Sequence, residues 1–382
     1  MQFMGYARPD GRVGVRNHVV ILSTVLCSAT EARMIAQATG AVAITHEGGC
    51  MEVGPEKAHT RRILMSVASH PNVGGVLVVG LGCEQVAAQT LARATTGRPV
   101  RYLNIQEAGG TTAAVRYGIE AAHELMEQVA EDERRPTHIR ELVLATQCGG
   151  SDTGSGLASN PVLGVVSDRL IVLGGTVLLG ETGGLYGAAG LLSKRAVSPQ
   201  VGRRIVEITD AVERHYGRMG KSIKEANPSP GNIAGGLTTL VEKSLGGVRK
   251  GGTTPIQGVL GPAEPVMGKG LWVMDTSLGA DSHATSDLVA GGAQILAFTT
   301  GRGNPVGSPI APVIKITASQ ETVETMGENI DFDASPVLRG EESLEECGQR
   351  LFAEFLAVGN GQLTKAEQLA HCEFAIGKIA VG

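Results

Sequence analysis

Along most of this chain a short apolar run of strand length breaks off in a cluster of glycine with a thiol, hydroxyl or carboxylate, and a helical stretch follows. His18–Leu26 runs into Cys27-Ser28, Ala41–Thr45 into His46-Glu47-Gly48-Gly49-Cys50, and Val73–Leu81 into Gly82-Cys83-Glu84. Val100–Ile105 runs into Gln106-Glu107-Ala108-Gly109-Gly110, and Glu141–Thr146 into Gln147-Cys148-Gly149-Gly150-Ser151-Asp152. Ile171–Gly180 precedes Glu181, and the runs Leu271–Asp275 and Gln294–Phe298 repeat the pattern. Runs with no polar side belong to strands covered on both faces. Their alternation with helices, predicted near 162, 187–195, 199–216, 237–246 and 342–357, implies crossover connections and parallel sheets. The charged run Glu131–Pro136 reads as a linker. The expectation is an α/β protein of two doubly wound, mostly parallel-sheet (Rossmann-like) domains, 1–135 and 136–382.

Glycine is the compositional outlier, with 54 residues against 3% aromatics. It follows no Gly-X-Y period and sits after the apolar runs, so it reads as turns and ligand loops. A net charge of −5 supplies no basic field for nucleic acid. No apolar run approaches the roughly 20 residues of a membrane span, and the first residues do not read as a signal peptide. Six cysteines in 382 residues, with no CxxC pair, fit a reducing cytoplasm better than a disulfide framework or a zinc ribbon.

Side chains at the carboxyl ends of parallel strands converge on one rim, where ligands bind in open α/β sheets. Cys27, Cys50, Cys83 and Cys148 each follow a predicted strand, with His46, Glu84, Asp152 and Glu181 beside them. One such cysteine would pack as a small hydrophobe. Four at equivalent ends, with imidazole and carboxylate neighbours, are a donor mixture suited to Fe(II), Mn(II) or Zn(II), and the mixture leaves an iron–sulfur cluster open. Neither a P-loop nor a correctly placed GxGxxG is present, which argues against a nucleotide cofactor. Arg8, Arg12 and Arg16 in the turn-rich opening segment are candidate carboxylate forks. His59, His70, His123 and His138 read mostly as surface residues, and Ser28 or Thr30 as a helix cap.

Several of these segments resemble the altronate/galactarate dehydratase family: Gly5-Tyr6-x-Arg8-x-Asp10-Gly11-Arg12-Val13-Gly14-x-Arg16-Asn17, Gly82-Cys83-Glu84, and Gln147–Asp152. Asn227-Pro228-Ser229-Pro230-Gly231-Asn232, Gly235-Gly236-Leu237 and Phe298-Thr299-Thr300-Gly301-Arg302-Gly303 add to the resemblance, which runs from about Gly5 to the C-terminus. It implies dehydration of a sugar acid to a 2-keto-3-deoxy acid with a divalent metal, typically iron or manganese. One-chain members carry a small N-terminal domain of the SAF type. Nothing before Met1-Gln2-Phe3-Met4-Gly5 supplies one, so the chain resembles the large subunit of the two-subunit branch, to which sulfolactate sulfo-lyase is related. The expected partners are therefore a hydroxy acid and a separate small SAF subunit, in a homo- or hetero-oligomer.

The sequence departs from the family at Gly184, Ala189 and Gly190, where sugar-acid dehydratases have two acids and a histidine. That departure implies a smaller or less hydroxylated substrate. The thiols Cys27, Cys50 and Cys83, which the sulfo-lyase branch lacks, point back toward dehydration. The resulting expectation places metal at Cys148, His46, Cys50, Cys27 and Cys83, with Asp152 close by. Glu181 or Glu84 would be the base, Asp152 is a further catalytic candidate, and Arg16, Arg302, Gly149, Gly150, Ser151, Asn232 and Thr300 would hold the substrate. The alternatives are a C–S lyase using the same enolate chemistry and a non-catalytic subunit that binds a small acid.

Overall fold

The computed structural model describes residues 1–377 and contains three sheets. Strand β1 (Gln2–Ala7) pairs antiparallel with β2 (Val13–Gly14). The first parallel sheet holds β3 (His18–Ser23), β4 (Val42–Ile44), β5 (Val73–Gly80) and β6 (Val100–Asn104) in the order β4-β3-β5-β6. Strand β7 (Arg135–His138) returns to pair with β1. The second parallel sheet has seven strands: β8 (Val143–Cys148), β9 (Thr176–Leu179), β10 (Ile256–Leu260), β11 (Gly270–Met274), β12 (Ile295–Thr299), β13 (Val313–Thr317) and β14 (Phe332–Asp333). Their order is β10-β11-β9-β8-β12-β13-β14. The α/β class and the parallel sheets read from the apolar runs are thus observed, with β5 buried at every position.

Four local expectations are corrected. Ile171-Val172 ends the helix Asn160–Val172, and the strand begins only at Thr176. Residues 135–138, expected in part as linker, form the β-ribbon with β1, whose alternating burial leaves one face to water. Ser28 does not cap its helix; its hydroxyl donates to Val25 and Val79 carbonyls instead. His59 and His70 are buried, at 3% and 1% exposure.

The two parallel sheets share a core. One apolar cluster joins Val20, Leu22, Ile63 and Leu64 of the first half to Leu178, Met274, Leu288 and Phe298 of the second. Contact runs through the helices Gly54–Ala68 and Asp281–Ala290. Arg16 is a bolt in this assembly rather than a ligand fork. Its guanidinium bonds Glu367 through Nε (2.7 Å) and Nη2 (2.9 Å), and the carbonyls of Val15, Val358 and Gln362. All five N–H groups of the fork are thereby used, leaving none for a substrate carboxylate.

Candidate active site

The carboxyl ends of β8, β9 and β11 meet over one cavity of about 310 Å³. Cys148 is the last residue of β8. Glu181 follows β9 in the left-handed region (φ 71°), a conformation a non-glycine residue holds at a cost of about 1–3 kcal/mol. That strain turns its carboxyl inward toward the β8 end. Its backbone N–H is held by Thr276 Oγ1 at 3.2 Å, from the loop after β11. Two lysines arrive from outside the sheet, Lys243 on the helix Leu240–Gly247 and Lys250 on the turn Val248–Gly251.

These side chains form one charged cluster. The Cys148 thiol donates to Glu181 Oε2 at 2.7 Å, and Lys250 Nζ lies 2.9 Å from the sulfur and 3.3 Å from the same oxygen. Lys243 Nζ donates to Asn227 Oδ1 (2.8 Å) and Asn232 Oδ1 (3.1 Å) and stands 3.8 Å from Glu181 Oε1. Lys250 is 1% exposed, and a cation is kept there only by its paired charges. Burial pushes the Glu181 carboxyl up, but Lys250 and then Lys243 outweigh it and hold it below the ordinary carboxylate range. Burial, with the Glu181 charge, raises the Cys148 thiol, so it stays protonated.

Across the cavity Asp281 opens the helix Asp281–Ala290 and accepts from Asn304 Nδ2 at 2.8 Å. Burial first, and then the Glu181 charge, push it up to about 6. Two carboxyls in one cavity are thus driven in opposite directions, the arrangement that assigns a base and an acid. Gly149 makes this possible: a Cβ there would stand 2.1 Å from Asp281 Oδ2.

The expected residues divide among three places. Gly149, Gly150 and Asn232 line the cavity with Cys148 and Glu181. The Asn232 amide bonds the Ser151 carbonyl at 2.9 Å, so it ties the β8 loop to the lysine layer. The Ser151 and Thr300 hydroxyls are buried without partners beside this loop. Asp152 and Arg302 lie behind the loop, in a separate cavity of about 440 Å³. Asp152 spends Oδ1 on the Ser155 backbone and hydroxyl, both at 2.7 Å, which leaves it a helix-capping role. Arg302 donates to the Gly231 carbonyl and remains largely exposed. Of the three departures noted in sequence, Gly184 lines the cavity; Ala189 and Gly190 do not.

The remaining candidate residues fall on the rim of the first sheet. Cys27, Cys50 and Cys83 are exposed on neighbouring loops, which are laced by Leu26 N–H to Gly48 O and Gln85 N–H to Gly49 O. Glu84 caps its own turn through Gly82 N–H (2.7 Å) and Ala88 N–H, and also holds Thr24. His46 is buried, accepts from Gly48 N–H, and has an unpartnered Nε2. Cys27, Cys50 and Cys83 do not line the Cys148 cavity. Among the described residues no three His, Cys, Asp or Glu side chains are gathered as a metal site. At Cys148 the thiol and Glu181 already face an ammonium. The donors as they stand do not fit a single divalent ion, and the chemistry below is derived from side chains alone.

Lys243, Lys250 and Asp281 were missed in sequence. Asp281 carries a readable signal, a glycine (Gly279) in the loop after a strand and then an acid at a helix start. Lys250 has the glycines (Gly251-Gly252) but no apolar strand before it. A larger cavity, about 600 Å³, opens at the amino-terminal edge of the seven-stranded sheet. Its buried polar groups are spent on structure, His70 on the Ala293 carbonyl and Gln294 on those of Val13 and Glu141, and its Glu141 carboxylate is paired with Lys269 at 3.5 Å.

A family model for the C-terminal domain of D-galactarate/altronate dehydratase matches residues 139–381, and one for the second domain of D-galactarate dehydratase/altronate hydrolase matches 5–130. The beta subunit of (2R)-sulfolactate sulfo-lyase from Chromohalobacter salexigens is 37% identical over 99% of this chain and 97% of its own length. Altronate dehydratase of Bacillus subtilis is 36% identical over 99% of this chain and 78% of its own. Galactarate dehydratase (L-threo-forming) of Escherichia coli is 33% identical, over 94% and 73%.

Proposed function

The chain belongs to the D-galactarate/altronate dehydratase family, and we propose that it is a carbon–oxygen lyase that dehydrates a small hydroxy acid to a 2-oxo-3-deoxy acid. The observation that carries this reading is the Cys148–Glu181–Lys250 cluster facing Asp281 across one cavity. The substrate carboxylate is met by Lys243, which has one N–H left after Asn227 and Asn232. Glu181, ionised by its lysines, takes the C2 proton. The C–H electrons become the C2=C3 bond, and the charge gathering on the carboxylate is stabilised by the two fixed ammonium groups. Asp281 gives its proton to the departing 3-hydroxyl, which leaves as water. The enol then tautomerises to the 2-oxo acid.

Gly184 bears on the substrate. A Cβ there would stand 2.9 Å from the Glu181 carboxyl, so Gly184 lets that carboxyl pack close and brings no side-chain hydrogen-bonding group to this wall. A buried substrate hydroxyl with no partner costs about 1–3 kcal/mol, which favours a shorter or less hydroxylated acid over altronate or galactarate. The cavity of about 310 Å³ is at the small end of ligand sites. C–S elimination is the second reading, favoured by the near end-to-end match to a sulfo-lyase subunit. That match to a chain described as a beta subunit also supports a companion subunit, for which a small SAF domain closing the cavity is our proposal. A cytoplasmic setting is supported by six free cysteines; no helix among the described residues is long and apolar enough to cross a membrane.

The test is a screen of 2,3-dihydroxy acids of three to six carbons and of sulfolactate, with 2-oxo acid and sulfite read separately, with and without the companion subunit. Formation of 2-oxo acid without sulfite, best on a short acid, is expected. Sulfite release would move the assignment to C–S cleavage. Ligand-induced stabilisation with no product from any acid would leave the chain a binding subunit.

A further inference from the structure

The loop from Asp275 to Asp281 makes one wall of the cavity and supplies the acid, and it is anchored from outside its own sheet. His59, on the helix Gly54–Ala68 of the first half, is 3% exposed. Its Nε2 lies 3.1 Å from Ser277 Oγ and 3.4 Å from Asp287 Oδ1. Asp287 is fully buried, and its Oδ2 accepts the Ser277 backbone N–H at 2.6 Å. The adjoining Thr276 bonds the Glu181 backbone N–H through Oγ1 and donates its own N–H to Thr182 Oγ1 at 2.9 Å. A continuous set of bonds therefore runs from His59 through Ser277 and Thr276 to the backbone of the base, along the loop that ends in the acid.

We infer that His59 is a positioning residue. It bonds the Ser277 hydroxyl through Nε2, beside the Asp287 carboxyl that holds the Ser277 backbone, and so fixes the Asp275–Asp281 loop in the shape that aligns Glu181 and Asp281. The inference rests on the reading of this cavity as the active site. His59 acts as a neutral ring, since burial and then Arg62 lower it to about 4. Burial pushes Asp287 up to about 7 against the Ser277 bonds, with Asp275 adding to the rise and Arg62 opposing it. The neutral imidazole therefore holds Ser277 by a hydrogen bond, and its 3.4 Å approach to Asp287 Oδ1 is not a salt bridge, that oxygen having no hydrogen-bond partner. Nothing in the elimination itself uses His59, and its Nδ1 is unpartnered.

The experiment compares His59→Ala, His59→Asn and His59→Gln in the full chain, with companion subunit if that is needed for activity. It reads kcat, KM, the pH profile, Tm and hydrogen exchange over residues 275–281. A glutamine amide reaches to about where Nε2 sits; an asparagine amide does not. The expected result is a fall of roughly ten- to hundredfold in kcat for Ala and Asn, the scale of a displacement near 1 Å in an active site. Loop exchange should become faster in both, and Gln should restore kcat to within about threefold. Two results overturn the inference: Ala and Asn lowering Tm while kcat, pH profile and loop exchange stay put, or Gln being as impaired as Ala. Failure of the active-site reading is seen separately, as activity retained by Glu181→Gln, and loop exchange still reports on His59 in that case.

Discussion

Replacing Lys250 with methionine keeps most of its apolar stem and removes its charge. In the wild type the ammonium sits 3.3 Å from Glu181 Oε2, worth about 5 kcal/mol at an effective dielectric near 20 before desolvation is counted. Lys243 at 3.8 Å remains, so roughly half of the cationic support is lost. Breaking one side of a buried charge pair costs about 3–5 kcal/mol when the partner stays charged. Glu181 can avoid part of that cost by taking up a proton. Its folded pKa then rises above the unfolded value, so in the variant the stability it contributes is lost as pH rises. The expected outcome is a destabilisation of about 3 kcal/mol at pH 8 that shrinks at pH 5, measured by urea unfolding at both values. The base is then neutral and the enolate loses a cation, so 2-oxo acid formation at pH 7 should fall at least about a hundredfold, equivalent to roughly 3 kcal/mol. An equal stability loss at both pH values, with turnover within threefold of wild type, would refute the coupling of Lys250 to Glu181.

Asp281 must be protonated to act, and its pKa lies at about 6, so kcat should fall as pH rises through that value. Asp281→Asn should abolish this limb together with most of the activity, read from a pH–rate profile. Gly149→Ala places a carbon 2.1 Å from the Asp281 carboxylate and should cut kcat/KM by at least about tenfold while moving Tm by only a few degrees, measured by steady-state kinetics and a thermal scan. Arg16→Met should do the reverse: it leaves Glu367 buried without its partner and costs about 3 kcal/mol or more in urea, with KM for the acid unchanged. Asp281 and Asp287 are both raised in the folded chain, so the fold binds more protons than the unfolded chain between about pH 4 and 7. Stability from these groups is present at the acid end and lost as pH rises; Asp287→Asn should flatten that slope in a Tm series.

The fold was legible where residues repeat a pattern and hidden where one residue breaks it. β3, β5, β8 and β12 declared themselves as apolar runs. β13, Val-Ile-Lys-Ile-Thr, was passed over because Lys315 interrupts it, yet that lysine is buried and its Nζ bonds the Val306 carbonyl. At the site, strand-end logic found Cys148, Glu181 and the Gly149-Gly150 turn, because these stand directly after β8 and β9. It could not separate Cys148 from Cys27, Cys50 and Cys83, since equivalent positions in two different sheets look alike in one dimension. Lys243 and Lys250 come from a helix and a turn that fold back over the sheet, a tertiary fact with no local sequence period. Arg16 was misassigned because a guanidinium fork suits a protein carboxylate as well as a substrate's, and Glu367 lies 351 residues away.

The central claim is that Glu181 removes the C2 proton. It is tested by incubating the best substrate of the screen, deuterated at C2, with the wild type and with Glu181→Gln, and following both 2-oxo acid and loss of deuterium to water. The wild type should release deuterium in step with product. Glu181→Gln should bind the acid with an affinity within about threefold of wild type while both product and deuterium release fall by at least a thousandfold, about 4 kcal/mol of lost barrier lowering. Deuterium release from the glutamine variant at a rate near wild type would show that another group is the base.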